Sequence, residues 1–355
     1  MQNMSKTSRD NLVTCGAIAV VCIIVQIVSG SGAMSNQMKG LLVPLCVYSI
    51  MAVSLNLVVG ILGELSLGHA GFMCVGAFSS ALFTMCVRHD MAKFPRFLIA
   101  ILIGAAVAGV FGFLIGIPVL RLNGDYLAIV TLAFGEIIKN VMNVLYVGKD
   151  VNGLHLSVHD AASLRMDGAS AELIINGPQG ITGTPADSTF IIAAVLLLIT
   201  VAIVLNMINS RTGRAIMAIR DNRIAAGSVG IQITRYKMIA FTISATLSGA
   251  AGAIYAHNLA TLQATPARFG YNMSILFLVF VVLGGIGSTR GAIIAAAVLT
   301  LIPELLRGIG NYRMLIYSIV MIVMMIVNWN PKSRAFIEAH FARRLKNRRA
   351  AKEGR

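Results

Sequence analysis

The sequence predicts an all-α polytopic membrane protein with about eight to ten transmembrane helices, some of them broken or only half-crossing. Of its 355 residues, 57% are hydrophobic and only 12% are charged, whereas soluble domains carry roughly 25% charged residues. The apolar residues are grouped into long runs, and each helical crossing of a bilayer needs about 20 of them. Helices are expected because an open sheet would leave backbone groups unsatisfied in lipid.

Ten apolar runs mark the candidate spans. They lie near residues 12–29, 41–62, 66–87, 97–120, 126–147, 189–209, 238–258, 272–287, 290–306 and 314–330. Three regions are expected: an N-terminal segment with the first helix at 1–40, a transmembrane domain at 41–330, and a basic tail at 331–355. The first run is long for a signal peptide, which favours a retained helix.

The distribution of charge predicts the orientation of the chain. The net charge is +15, of which +5 lies in residues 211–237 and +7 in residues 331–355. Both segments border apolar runs, which is the positive-inside pattern and places both termini in the cytoplasm. The connection 148–188 carries a net charge of −3 and is expected outside. A basic protein can bind nucleic acid, but this placement of charge favours a membrane and no nucleic-acid partner.

Motifs of soluble enzymes are missing from the sequence. It contains no GxxxxGK[ST] phosphate loop, no HExxH zinc motif and no GxSxG elbow. Its five cysteines lie in apolar runs without a CxxC pair, as expected for small hydrophobic residues. No catalytic residue, cofactor or metal site is therefore predicted.

Glycine-rich stretches interrupt two of the apolar runs. The segment GILGELSLGHAGF, residues 60–72, places polar side chains and glycines between two apolar runs. A similar stretch, VLGGIGSTRG, occupies 282–291. Paired stretches of this kind flank the substrate route in transporters, because unwound backbone can line a cavity. We expect the two breaks to approach each other near the membrane midplane. The residues assigned to the helix breaks or the route are Asn56, Gly63, Glu64, Ser66, His69, Thr131, Glu136, Gly284 and Gly287.

Acidic residues inside apolar runs have both functional and structural interpretations. Intramembrane ionisable groups commonly serve function, which makes Glu64 and Glu136 candidates. Glu64 could instead cap the end of its span, and Glu136 could pair with Lys139 three residues later. Glu304 is interpreted as an interfacial ion pair with Arg307.

Small residues recur at a spacing of four in several spans. Such stripes allow close contact between helix backbones in lipid, and packing within the chain is favoured over a subunit contact. The stripes are Ser244, Ser248, Gly252 and Ala256; Gly112 and Gly116; and Gly287 and Gly291.

The basic loop 210–237 contains a predicted short amphipathic helix. Asp221 or Asn222 can cap its start and Gly230 can end it. Alanines provide a smooth face with arginines around it. Docking on a partner protein and contact with anionic headgroups both fit this composition.

This loop carries a family resemblance. GRAIMAIRDNRIAAGSVGIQITRYKMIAF (213–241) resembles the coupling segment of permeases in ABC importers for branched-chain amino acids. Further segments that resemble the family are SLNLVVGILGELSLGHAGFMCVGAF (54–78), GDYLAIVTLAFGEIIK (124–139), NGPQGITG (176–183), SGAAGAIYAH (248–257) and FVVLGGIGSTRGAIIAA (280–296). Together they cover most of residues 54–306 in family order, and the stretch at 124–139 is typical of the subtype that pairs with a shorter permease.

The resemblance implies a bacterial cell-membrane importer with several partners. These are a second, different permease chain, two ATPase subunits and an extracytoplasmic binding protein that delivers leucine, isoleucine or valine. The positions that match the family's coupling pattern are Gly213, Arg214, Arg220, Asp221, Ala225, Ala226 and Gly230. Gly227 departs from it, since a larger residue is expected there and an interior glycine weakens a helix.

Two alternatives follow from the same residues. Related permeases carry urea, short amides or other amino acids, so the resemblance leaves the substrate open within this class. A secondary transporter driven by protons or sodium would use Glu136 or Glu64 as its titrating group.

Overall fold

The structure is a computed structural model that describes residues 6–32, 34–88, 91–122, 124–150, 153–164, 172–307 and 312–329. The basic tail predicted at 331–355 lies outside these residues. The chain divides into two units, Met1–Ala297 and Val298–Arg355.

Helices account for most of the described chain. Their bounds are α1 Lys6–Gly30, α2 Asn36–Asn56, α3 His69–Cys86, α4 Lys93–Val119, α5 Asp125–Val144, α6 Phe190–Asn209, α7 Arg211–Asp221, α8 Arg223–Ser228, α9 Ile233–Ala256, α10 Pro266–Phe269, α11 Tyr271–Gly284, α12 Thr289–Leu305 and α13 Arg313–Trp329. Within the described residues, eight segments are long and apolar enough to cross a membrane. The apolar helices α12 and α13 have 17 residues each. The predicted all-α polytopic fold is confirmed.

Three helices form the centre of the first unit. Buried residues make up 83%, 78% and 72% of the apolar windows that contain α2, α3 and α9, but only 33% of those in α4, α5 and α6. The outer helices expose aliphatic side chains such as Leu102 and Ile129. The helices at the centre therefore bury polar and small residues together with apolar ones, and the outer helices present aliphatic side chains outward, as helices that face lipid do.

Glycines allow α9 to pack directly against its neighbours. A Cβ atom on Gly249 of α9 would lie 2.6 Å from the carbonyl oxygen of Gly104 on α4. A Cβ on Gly252 would overlap the carbonyl of Met73 on α3. The predicted stripe from Ser244 to Ala256 is buried throughout, so it packs within the chain.

The predicted stripe of Gly287 and Gly291 is wrong as a helical feature. Gly287 lies in a turn between α11 and α12 with φ of 84°, outside either helix. Gly291 instead contacts Gly284, since a Cβ on either glycine would overlap the other's backbone. The spacing of four arose from a tight helix–turn–helix connection.

The long connection between α5 and α6 contains strands that the sequence did not predict. Strands β1 (Tyr146–Asp150), β2 (Gly153–Ser157) and β3 (Glu172–Asn176) form an antiparallel sheet in the order β2-β1-β3. A second pair joins β4 (Ile181–Thr182) to β5 (Thr261–Leu262). Strands of five residues or fewer carry little periodic signal, which explains why they were missed.

The second unit contains the end of α12 and the helix α13. Glu304 and Arg307 form an ion pair of 3.0 Å, as predicted from their spacing of three residues. The Arg307 side chain is 56% exposed, so the pair lies at the surface of this unit.

Candidate functional site

The apolar run of α2 ends in an irregular segment, which we call the first break and define as residues 57–68. Leu57–Leu62 adopt a π-helix, and Gly63 follows in the left-handed conformation with φ of 79°. Residues 63–68 are non-helical until α3 begins at His69. A left-handed residue commonly ends a helix and is usually glycine, because it lacks a Cβ atom. Gly63 therefore breaks the helix as predicted.

The second break, residues 285–288, separates α11 from α12. Gly285 and Gly287 both have positive φ angles, 92° and 84°. The chain then reverses so that Gly284 lies against Gly291. Glycine is required for both the backbone conformation and the close approach.

The two breaks touch each other. The backbone N–H of Gly287 donates a hydrogen bond of 2.9 Å to Oδ1 of Asn56, which is fully buried. A Cβ atom on Gly60 would overlap Gly287 and the Asn56 side chain. The predicted approach of the two glycine-interrupted stretches is confirmed, and their depth in the membrane stays a prediction.

Polar side chains from four helices surround the first break. His69 Nε2 lies 2.9 Å from Ser244 Oγ, and Ser244 donates to the carbonyl of Ser54. Thr131 of α5 accepts a hydrogen bond of 3.0 Å from the backbone of Leu67. These side chains satisfy backbone groups or each other, as expected for irregular backbone in an apolar interior.

Three buried polar atoms near the first break have no hydrogen-bond partner within the described structure. They are Asn56 Nδ2, Ser66 Oγ and His69 Nδ1. Ser66 was assigned to the helix break or the route, and its hydroxyl makes no hydrogen bond within the described chain. Their assignment to a translocation route stays a prediction.

Both carboxylates singled out in the apolar runs are ion paired. Glu64 pairs with Lys237 at the start of α9, and Glu136 pairs with Lys139 within α5. Glu136 Oε1 also accepts a hydrogen bond of 2.8 Å from the backbone of Tyr271, the first residue of α11. The structural interpretation of Glu136 is therefore supported. Among the described residues, no three His, Cys, Asp or Glu side chains come together as metal ligands would.

The basic loop at residues 210–237, which we call the coupling segment for its resemblance, forms two short helices ahead of α9, where the sequence predicted one. Ser210 caps α7 by accepting from the backbone of Gly213 at 3.2 Å. Asn222 caps α8 by accepting from the backbone of Ile224 and Ala225 at 3.1 and 3.0 Å. Asn222 is thus the cap, and the alternative assignment to Asp221 is wrong because Asp221 ends α7.

The glycines and one alanine of this segment have distinct roles. A Cβ on Gly213 would overlap the carbonyls of Met207 and Ile208, and Gly230 follows α8 with φ of 84°. Ala226 was assigned to the exposed coupling face, but it is 4% exposed and packs inside the segment. Ala225, by contrast, is exposed.

Two arginines of α7 donate to backbone carbonyls outside this helix. Arg214 donates to the carbonyl of Asn209 at 3.1 Å. Arg220 donates to Oδ1 of Asp221 through two nitrogens and to the carbonyl of Gly60 at 3.1 Å. The last contact, between the coupling segment and the first break, was not predicted from the sequence.

The sequence also missed the most exposed apolar side chains of the coupling segment. Ile224 is 86% exposed and Val229 is 75% exposed, and both flank or belong to α8. The sequence signal that could have predicted this exposure is Ile224 beside Arg223, an aliphatic residue in a segment that contains no apolar run. Ile224 and Val229 therefore place exposed apolar surface beside the basic side chains of this segment.

Comparisons with known proteins identify the family. The family described as "Branched-chain amino acid transport system / permease component" matches residues 37–327. The high-affinity branched-chain amino acid transport permease LivM of Salmonella typhimurium is 35% identical over 81% of this chain and 67% of its own length. LivM of Escherichia coli is 34% identical over the same shares. The ribose import permease RbsC of Escherichia coli is 26% identical over 89% of this chain and 92% of its own length.

No solved structure matches the chain significantly. The sequence match nevertheless covers the two breaks and the whole coupling segment. The chain is therefore a multi-pass membrane protein that belongs to the family of permease components of branched-chain amino acid transport systems.

Proposed function

We propose that the chain is the permease of an ATP-driven importer that carries leucine, isoleucine and valine across a bacterial cell membrane. The observation that carries this proposal is the 35% identity to LivM across 81% of the chain. The eight candidate spans and the contact between the two breaks support a transport role, because irregular backbone at membrane depth commonly lines a substrate route.

The importer needs partners that supply what this chain lacks. The sequence has no phosphate-binding loop, and the family resemblance implies that two separate ATPase subunits hydrolyse the ATP. A second, different permease chain pairs with this one, and the substrate route lies between the two chains. An extracytoplasmic binding protein delivers the amino acid. Selectivity then depends strongly on that binding protein.

The exposed part of the coupling segment docks on an ATPase subunit. Ile224 and Val229 project apolar surface, and Arg223 adds positive charge beside them. Apolar tips that enter a pocket supply most of the affinity of an interface, and surrounding charges speed and orient the encounter. The partner surface is accordingly an apolar pocket with acidic residues around it.

Charged substitutions at these tips test the docking surface. We expect Ile224→Asp and Val229→Asp each to weaken ATPase binding by about 30-fold, as for an interface hot spot. The measurement is the amount of ATPase that co-purifies with the full-length chain. Leu156→Asp is the matched control, because Leu156 is 71% exposed on β2. Equal recovery of ATPase with all three variants would refute the docking surface.

Uptake of labelled leucine tests the function itself. We expect uptake to be lost in cells that lack only this chain, to return on complementation, and to resist a proton uncoupler when ATP is held constant. Uptake that the uncoupler abolishes would instead support the gradient-driven alternative. A strain with no leucine defect would refute the substrate assignment and direct the search toward urea and amides.

A further inference from the structure

The coupling segment holds the first break from two sides. Arg220, near the end of α7, contacts Gly60 and Gly63, and Lys237, in the first turns of α9, contacts Glu64. The part of the segment that would meet an ATPase, around α8, lies between these two residues in sequence. The break is therefore attached to both ends of the α8 region.

Arg220 fits the end of the π-helix closely. Gly60 lies in the last turn of Leu57–Leu62, where backbone carbonyls lack an intrahelical partner. The guanidinium donates to this carbonyl at 3.1 Å, and its positive charge matches the negative end of the helix dipole. The stem crosses Gly63, since a Cβ there would lie 2.6 Å from Arg220 Cγ.

Asp221 orients the same guanidinium. Nε and Nη2 of Arg220 donate to Oδ1 of Asp221 at 3.0 and 2.9 Å, which leaves Nη1 for Gly60. A planar fork can make these contacts together, whereas a lysine ammonium lacks that geometry. The contact thus depends on arginine and not only on positive charge.

Lys237 attaches the far side of the break. Its side chain is 2% exposed, and that of its partner Glu64 is 14% exposed. Separating a buried ion pair leaves an uncompensated charge in an apolar interior, which is strongly unfavourable. Glu64 is therefore expected to move with the start of α9.

The first break is in direct contact with the second break. Gly60 lies directly against Gly287, and Asn56 accepts from the Gly287 backbone at 2.9 Å. Closely packed groups are nearly incompressible, so a displacement of Gly60 is transmitted to Gly287.

We propose that Arg220 and Lys237 form a clamp that converts displacement of the coupling segment into displacement of the two breaks. This inference rests on the proposed function, since the ATPase supplies the displacement. It assigns Arg220 and Lys237 as positioning residues that act on the route through Gly60 and Glu64. Docking is left to the exposed surface around α8.

Hydrogen exchange in the assembled permease–ATPase complex tests the clamp without any transported substrate. In the wild type, we expect a non-hydrolysable ATP analogue to change the exchange rate of amides in residues 57–68 by about fivefold or more. The change should disappear in Arg220→Lys and in Lys237→Gln. It should persist in Arg235→Gln, which removes an exposed arginine of the same segment.

A second readout separates the clamp from docking. In proteoliposomes, we expect the clamp variants to retain co-purifying ATPase and ATP hydrolysis while leucine uptake per ATP falls about fivefold or more. If Lys237→Gln does not fold, the neutral double variant Glu64→Gln/Lys237→Gln takes its place, because it leaves no unpaired charge.

Four results would overturn the inference or its basis. A nucleotide response of residues 57–68 that is unchanged in the clamp variants would refute the clamp, as would a wild type without any response. Loss of ATPase binding in Arg220→Lys would assign Arg220 to docking instead. A wild-type chain that recruits no ATPase would refute the proposed function, which is a distinct failure.

Discussion

At the residue scale, His69 joins three helices around the first break. Its Nε2 contacts Ser244 of α9, and Ser244 in turn donates to the carbonyl of Ser54 in α2. The ring also lies edge-on to Phe72, with 6.0 Å between centroids. One side chain thus fixes the start of α3 relative to α2 and α9.

Replacing His69 with alanine removes these contacts. We expect His69→Ala to lower the free energy of unfolding by about 2–3 kcal/mol, from the lost hydrogen bond and the cavity. Transport should slow without a change in the leucine-to-valine preference. Thermal unfolding in detergent and paired uptake assays measure both effects. His159→Ala, at an exposed position, is the control. An unchanged unfolding midpoint and transport rate in His69→Ala would refute the positioning role of His69.

Two glycines of the same chain should respond oppositely to alanine. At Gly227 a Cβ would meet only Ile233 Cδ1 at 3.6 Å, an ordinary contact, so Gly227→Ala should stabilise α8 by about 0.5–1 kcal/mol. At Gly60 a Cβ would overlap Asn56 and Gly287, so Gly60→Ala should destabilise the chain and slow transport. The measurement is the thermal unfolding midpoint of both variants, and equal midpoints for the two would contradict the prediction.

At the element scale, Glu136 ties α5 to α11. Its carboxylate pairs with Lys139 and also accepts from the first backbone N–H of α11. A negative charge at a helix start is favourable because of the helix dipole. The mid-span carboxylate therefore has a structural role, which weakens the case for a titrating group in a gradient-driven carrier.

Neutralising this carboxylate should cost stability. We expect Glu136→Gln to lower the free energy of unfolding by about 1–3 kcal/mol, because Lys139 is buried and loses its partner charge. Glu304→Gln is the matched control and should change it by less than about 0.5 kcal/mol, since its partner Arg307 is exposed. Uptake by Glu136→Gln that keeps its stability but loses sensitivity to an uncoupler would instead support a titrating role.

At the scale of the whole molecule, α6 separates two segments of opposite charge. The connection that precedes it has a net charge of −3, and the coupling segment after it is strongly basic. This helix of 20 mostly apolar residues is long enough to cross a bilayer. The two segments are therefore expected on opposite sides, with the basic one in the cytoplasm.

Cysteine accessibility measures this orientation. In a chain whose five cysteines are replaced, we expect a membrane-impermeant maleimide added to intact cells to label Val158→Cys but not Ser228→Cys. Ser228→Cys should become labelled in inverted vesicles. Both positions are exposed, so access depends on the side of the membrane. Labelling of both variants in intact cells would refute the predicted orientation.

The sequence alone determined the fold class and the family of this protein, and it located its apolar helices. Long apolar runs leave little choice in lipid, where each helix must satisfy its own backbone, so composition and length predict helices within a few residues. The motifs around 54–78 and 213–241 likewise depend only on local order. The local sequence was enough to predict the pair of Glu304 with Arg307 and to offer Lys139 as a partner for Glu136.

Only the tertiary structure decided which distant residues act together. Glu64 meets Lys237, and Arg220 meets Gly60, across more than 150 positions of sequence, and no local pattern encodes such partners. Tertiary packing also decided which residues of α8 are covered, since Ala226 is buried while Ile224 is exposed. The sequence shows which residues are apolar, whereas tertiary packing determines which of them are buried and which residues bury them.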